Sequence, residues 1–320
     1  MNISSALFKT LSENEIIKIT DKIYPDEKIL RHKLLEGGLF NTTYRVTTEK
    51  HDFILRLGPV HRELLLPYEH NLMNGEAEVD RLCALNNIPA SKVVFLDTTK
   101  TLLDRDIMAV ERIESIPLSD PSVDKEAHPE IFYECGVLLK KMHGIKGEKF
   151  GRLSNIVAGK GFDSWYEALK NELDELFTVA DLYNVYTDVI KEKAYAFLKE
   201  RKELLNKVTT PSLIHCDLWS GNVLVNLENG AYKVKAIIDG DRAMFGDSYY
   251  DIATEWMMTK EFMEGYGEVN CPYNEEEKKE AKTVYSLIQA LMDAYIWSVE
   301  YDNKEAFERN FNIVKKLLAF

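Results

Sequence analysis

The sequence predicts an α+β protein in two unequal lobes, a β-rich one followed by a mainly helical one. Three observations predict it. At 320 residues the chain exceeds the length at which one hydrophobic core usually stops growing. Short runs rich in β-branched and aromatic residues fill residues 31–58 and recur up to Ile113, whereas almost everything beyond carries the helical period. No repeat, low-complexity tract or long linker separates the two parts. The boundary falls near residues 111–116, giving lobes of 1–112 and 113–320.

Taken in order, "HKLLEGG", "TTYRVTT" and "DFILRLG" read as a β-meander, with the polar "EKH" as the turn between the last two. From Glu69 to Asn86, Leu72, Ala77, Val79, Leu82 and Leu85 recur at roughly helical spacing until "NNIP" stops them. "KVVFLD" and "DIMAVERI" supply two more strands, so the small lobe is mostly sheet with a single long helix. After it, "PEIFYECGVLLKKMHGI", "FDSWYEALKNELDELF", "VIKEKAYAFLKERKELL" and the segments beyond Asn274 are helical. One hairpin interrupts them: "NVLVN" and "KVKAIID" flank an Asn-Gly pair that favours a tight turn.

Forty basic against fifty-three acidic residues give a formal charge of −13, which repels nucleic acid and anionic membrane and favours cationic partners. No segment approaches the roughly 18 apolar residues of a membrane span. The N-terminus has no basic start followed by an apolar block, so a cytoplasmic protein is expected. Cys83, Cys135, Cys216 and Cys271 are far apart, without metal-ligand spacing, and read as free thiols.

The chemistry concentrates in "LIHCDLWSGNVLV", residues 213–225, where polar residues enter an otherwise buried strand and turn. A two-residue loop at Asn229 and Gly230 pairs Asn222 with Ile237, and Asp239 then lies two residues further, about 7 Å along the strand. Asp217 belongs to the same end. Two carboxylates and an amide oxygen at the mouth of a hairpin are hard ligands that suit magnesium shared with phosphate oxygens, which suggests phosphoryl transfer. Asp241 is a weaker candidate, because it faces the same way only if the strand continues.

The spacing from His215 through Asp217 to Asn222, followed by an acidic residue, resembles the kinase catalytic loop and its metal-binding motif. With "AIIDGDRAMFGDSYYDIA" and "KMHGI", the chain resembles the aminoglycoside phosphotransferase family of small-molecule kinases over residues 30–300, and "DLWSGN" is also similar to the fructosamine kinase branch. The resemblance implies a protein-kinase-like fold using ATP or GTP with Mg2+. It makes Asp217 the catalytic residue that orients the acceptor hydroxyl, with Asn222 and Asp239 holding the metal and His215 ordering the loop. Arg56 stands where kinases place a phosphate-binding lysine, with Glu76, or Glu78 two residues on, as its ion-pair partner. The loop "EGGLFNTTY" would cover the phosphates through the backbone from Phe40 and Asn41 to Thr43 and the hydroxyls of Thr42 and Thr43. The hinge "VERI" would meet adenine through backbone groups including those of Glu111 and Ile113.

Bland roles fit other residues better: Asp247 as a helix N-cap, Asp251 as a first-turn charge, and His143 as a helix C-terminal residue. Trp219 is a candidate to line the pocket. The acceptor is expected to be a small-molecule hydroxyl. A cationic aminoglycoside would use carboxylates such as Glu255, Asp293 and Glu300, whereas a metabolic sugar, sugar-amine or amino-alcohol acceptor would meet neutral and aromatic groups. A nucleotide-binding module without catalysis has no chemical reason to keep Asp217, Asn222 and Asp239 together, and a phosphohydrolase lacks the further ligands of a two-metal cluster.

Overall fold

The computed structural model describes residues 5–35, 38–254 and 257–319. Gly37 of the expected phosphate loop, the expected pocket carboxylate Glu255 and Trp256 lie outside the described residues. Ahead of the first strand lies a helix that the sequence patterns above do not include, α1 (Glu13–Ile23). It starts at a capping box in which the Ser12 hydroxyl accepts from the Glu15 amide at 3.3 Å and the Glu15 carboxylate accepts from the Ser12 amide at 2.7 Å.

The small lobe is a five-stranded antiparallel sheet in the order β1-β2-β3-β5-β4: β1 (Ile29–Leu34), β2 (Thr42–Thr48), β3 (Asp52–Leu57), β4 (Val93–Asp97) and β5 (Ile107–Glu111). Helix α2 (Leu72–Leu85) connects β3 to β4. Strand alternation sends neighbouring residues to opposite faces. One face buries Tyr44, Val46, Phe53, Leu55 and Leu57 beneath Ile16 and Ile19 of α1. The other carries Met108 and Val110 against Met73 of α2, and there Thr43 sits opposite Arg56 and Arg56 opposite Met108.

The next strand, β6 (Ile116–Pro117), already pairs with the second lobe, in the sheet β10-β9-β6 formed with the hairpin β9 (Val223–Glu228) and β10 (Ala231–Ile237). A second small sheet, β7-β11-β8, joins β7 (Gly151–Arg152), β8 (Ser212–Ile214) and β11 (Met244–Gly246). Around these lie α3 (His128–Gly144), α4 (Leu153–Val157), α5 (Trp165–Ala180), α6 (Asp188–Glu200), α7 (Lys202–Leu205), α8 (Tyr249–Thr254), α9 (Lys260–Tyr266), α10 (Glu275–Tyr295) and α11 (Lys304–Leu317). A π-turn at Ile296–Glu300 ends α10.

The hairpin corrects one expectation. Asn229 and Gly230 take left-handed φ of 52° and 83°, as a tight turn requires, and the expected register holds from Ala231 opposite Glu228 to Val234 opposite Val225. A bulge between Val234 and Ala236 then inserts a residue, so Ile237 faces Val223 rather than Asn222. Asn222 instead accepts at its carbonyl from the Ile238 amide, at 2.9 Å.

Helices α3 and α9 approach so closely that a Cβ added at Gly136 would lie 2.0 Å from the Phe262 carbonyl oxygen, whereas one added at Gly144 meets nothing within 4 Å. Gly136→Ala is therefore expected to lose about 3 kcal/mol or more in urea unfolding, because backbone must move. Gly144→Ala, at the end of the same helix, is expected to be neutral or stabilising.

Candidate active site

The turn leaving β8 is held from beneath by a buried carboxylate. Asp251 of α8 accepts from the backbone amides of His215 and Cys216, both at 2.8 Å, and from His143 Nε2 at 3.0 Å. Burial pushes the Asp251 carboxyl up, but His143 and the His215 amide outweigh it and hold the group below the usual carboxylate range. Losing this acceptor would leave two buried amides unpaired, about 1–3 kcal/mol each. Asp251 is in the first turn of α8, as expected, and carries this further role. His143, in the last turn of α3 as expected, is buried and bonded at Nδ1 to the Tyr266 hydroxyl at 2.7 Å, so it is also a strut beneath the loop. Asp247 does accept from the Tyr249 amide at 2.9 Å, and its other oxygen accepts from the Tyr285 hydroxyl at 2.5 Å.

Cys216 is thereby kept at a φ of 65°, a left-handed conformation disfavoured for a side chain with a Cβ. It turns Asp217 into the cleft. His215 spans the loop: Nε2 donates to the Ile238 carbonyl at 3.1 Å and Nδ1 accepts from the Asp217 amide at 3.3 Å. Both ring nitrogens are committed to order. The Asn222 amide group donates to the Asp217 carbonyl at 2.8 Å and to Asp217 Oδ2 at 3.2 Å, which leaves its own Oδ1 as a possible ligand. The Trp219 ring lies over Gly221, where a Cβ would come within 2.3 Å of it, and Trp219, two residues from Asp217 in the chain, is 42% exposed.

Asp239 follows β10 at a φ of 63°, and a 3-10 turn, Gly240–Arg242, brings Asp241 back beside it. Carboxylate oxygens of Glu76, Asp239 and Asp241 all lie within 4.8 Å of one another. Asp241 converges because the strand ends, the reverse of the condition expected for it. Arg56 bridges the lobes, donating to Glu76 of α2 and, at 2.8 Å, to Asp239. Glu78 pairs instead with Arg81 at 2.7 Å.

Burial pushes the Asp217 carboxyl above the usual range, against the pull of Arg242 and His215 and with help from Asp239. Arg242, which sequence reasoning passed over, places Nη1 3.8 Å from Asp293, whose carboxyl burial pushes up to about 6. Its one sequence signal is its place two residues after the motif glycine, in "DGDR". The cleft floor thus gathers two guanidiniums among five carboxylates.

Residues 31–280 match the model of the phosphotransferase enzyme family. The chain belongs to that family. It is 26% identical over 264 residues to a probable ketoamine kinase of Enterococcus faecium, covering 78% of this chain and 81% of that one. Its fold is similar to that of the aminoglycoside phosphotransferase APH(4)-Ia, with a TM-score of 0.68 at 17% identity, over 96% of this chain and 99% of that one. It is also similar to APH(2")-IIia solved with GDP and kanamycin, with a TM-score of 0.65 at 14% identity and the same shares covered. The family's protein-kinase-like fold, with a sheet N-lobe and a helical C-lobe, is therefore that of this phosphotransferase, a small-molecule kinase.

Other expected positions fall unevenly. Thr43 shares the α2-facing side of the sheet with Arg56. Thr42 does not. Its buried hydroxyl donates to the Lys9 carbonyl at 3.1 Å and accepts from Arg105 at 2.8 Å, on the opposite face, so it has no bond to spare for phosphate. Asn41 precedes β2 beside Leu39 and Phe40, which pack against the large core cluster. The Glu111 side chain is exposed and paired with Lys92 at 2.5 Å, which leaves backbone as its contribution, and the Ile113 carbonyl accepts from the Ser115 hydroxyl at 3.1 Å. Glu300 is 1% exposed, with its carboxyl against that of Glu69, and burial together with Glu69 raises it well above the usual range. So buried, Glu300 is not an open anionic wall for a cationic acceptor. Among the expected pocket carboxylates, helices α10 and α11 and the turn between them leave Asp293 partly exposed. No described helix is long and apolar enough to cross a membrane.

One turn beyond Glu76 on α2, burial with Glu76 alongside pushes the Asp80 carboxyl up to about 8. The folded state then holds a proton that the unfolded chain releases near pH 4, so this group's contribution to stability falls as pH rises between about 4 and about 8. Asp80→Asn is expected to flatten that fall: it should gain more over wild type at pH 8 than at pH 5, as thermal melts at the two pH values will read.

Proposed function

We propose that this phosphotransferase moves the γ-phosphoryl group of ATP or GTP to a hydroxyl of a sugar-amine acceptor. The observation that carries the reading is the meeting of Asp217, Asn222, Asp239 and Arg56 in the cleft, from both lobes. The donor set fits a magnesium ion: hard oxygens only, three carboxylates within ion-sharing range, and a buried Glu76 oxygen with no bonding partner. Asn222 Oδ1, Asp239 and Asp241 would hold it. When bound, such an ion would neutralise phosphate charge.

The chain's own groups do the rest. Arg56, fixed by Glu76, offers its fork to the nucleotide phosphates, and Thr43 with the backbone at Asn41 lies at the same end of the sheet. Backbone at Glu111 and Ile113 would take the base. Asp217, with one oxygen held by Asn222, aligns the acceptor hydroxyl and takes its hydrogen as phosphorus transfers. Arg242, facing Asp217 and Asp293, spreads positive charge over the acceptor side.

For the acceptor, the ketoamine kinase relative, the exposed Trp219 two residues from Asp217 and the burial of Glu300 support a sugar adduct over a polycationic aminoglycoside. A screen of ketoamines, amino sugars and aminoglycosides with both nucleotides tests this. Turnover of ketoamines at least tenfold above the aminoglycosides in kcat/KM is expected. The reverse order would replace the sugar-amine reading with the antibiotic one.

Asp217→Asn should abolish turnover while nucleotide binding, measured calorimetrically, stays within about threefold of wild type. Because the carboxylate form must accept the hydrogen, kcat/KM falls toward acid pH. Arg242 favours that form, so Arg242→Gln is expected to move the acid limb of the profile to higher pH. A limb that stays put would remove Asp217 as the titrating group.

A further inference from the structure

Arg105 lies in the turn between β4 and β5, 5% exposed, and the groups it bonds include no carboxylate. Nε donates to the Gly58 carbonyl at 2.6 Å, Nη1 to the Lys9 carbonyl at 2.6 Å, and Nη2 to Thr42 Oγ1 at 2.8 Å and the Leu57 carbonyl at 3.3 Å. A buried guanidinium with no carboxylate in direct contact, Glu15 acting on it only from a distance, is unfavourable, and an apolar side chain would fill the same space. The fork must therefore do what an apolar group cannot.

Its partners show what that is. Thr42 and Leu57 face each other across β2 and β3, and the next pair in the register is Thr43 with Arg56. Arg105 thus grips, from the α1 side, the two strand ends whose other side presents Arg56 and the end of the phosphate loop. Its third anchor, Lys9, belongs to an N-terminal strap fixed at two further points. Leu7 is fully buried in the large core cluster with Leu65, Leu66 and Tyr295, and its carbonyl accepts from the Val60 amide at 2.9 Å. The Leu11 amide donates to the Tyr44 hydroxyl at 2.8 Å.

We propose that Arg105 is a positioning residue for the nucleotide: it fixes the strand ends that carry Arg56 and Asn41–Thr43 relative to each other and to the strap at residues 7–11. The inference rests on the phosphotransferase reading above. It makes nucleotide affinity depend on a side chain that touches no nucleotide.

The test uses the full chain with Arg105→Gln, Arg105→Lys, Thr42→Val and the Arg105→Gln/Thr42→Val pair. ATP binding without acceptor, KM for each substrate, kcat and the melting temperature are measured, with kinetics well below every melting point. Arg105→Gln is expected to raise the ATP Kd and KM about tenfold, with acceptor KM within about twofold. Lysine, a point donor in place of a fork, should give an intermediate loss. The double variant should be no worse than Arg105→Gln alone, because both changes break one network. Lower melting with unchanged ATP binding in Arg105→Lys and Arg105→Gln would overturn the inference, since a purely structural residue moves the first and not the second. If the glutamine variant does not fold, unchanged ATP binding by the lysine variant overturns it equally. Wild-type protein that binds neither ATP nor GTP would overturn the phosphotransferase reading, and this inference with it.

Discussion

Five carboxylates, Glu76, Asp217, Asp239, Asp241 and Asp293, share the cleft floor with two guanidiniums, Arg56 and Arg242, and this imbalance of charge governs the site. In a low-dielectric cleft, like charges a few ångströms apart raise one another's proton affinity. Burial and the neighbouring Asp239 and Glu76 push the Asp241 carboxyl well above the usual range, and burial lifts Glu76 despite its bond to Arg56. A divalent cation carrying a nucleotide would relieve that repulsion more fully than a proton. Negative charge is thus concentrated at the centre of the cleft, with Arg56 at its edge.

Such a site must be held open against its own repulsion, and the hold comes from groups outside it. Cys216 and Asp239, both at left-handed φ, mark where the backbone is bent to aim Asp217 and the Asp239–Asp241 pair inward. Each bend is locked by bonds from below: Asp251 takes the two amides at the first, and the Ile238 amide donates to the Asn222 carbonyl at the second. Asp251 is itself braced by His143 of α3, and α3 is pinned by backbone contact with α9 at Gly136. Helix packing far from the cleft is thus continuous with the geometry of the catalytic turn.

Much of this was legible in the sequence because it is local. Alternation and helical spacing outline the five strands and α2, and the spacing within "HCDLWSGN" is short enough for chemistry to fix it. Helix α1 is equally local, marked by its S-x-x-E box at Ser12 and by Ile16, Ile19 and Ile23. The bulge in β10 leaves no mark in residue types. Asp251 reads as a helix-start charge until the fold brings it against amides 35 and 36 residues away. Arg105 reaches partners 47, 63 and 96 residues distant, and a lone arginine in a turn carries no sign of them. What escapes the sequence is consistently the support beneath the site, where a single polar side chain serves backbone groups that any residue possesses.

An arginine rather than a lysine at position 56 suits the same electrostatics. A lysine ammonium is a compact charge that serves one partner well, whereas the planar fork of Arg56 reaches Glu76 with one terminal nitrogen and Asp239 with the other. That joins the lobes before any nucleotide arrives and neutralises part of the cleft's excess charge. The pairing uses one oxygen of Asp239, Oδ1, and so does not consume the whole carboxylate. In the reading proposed above, a magnesium nucleotide would answer both halves of the site, its cation at the carboxylates and its phosphates at Arg56.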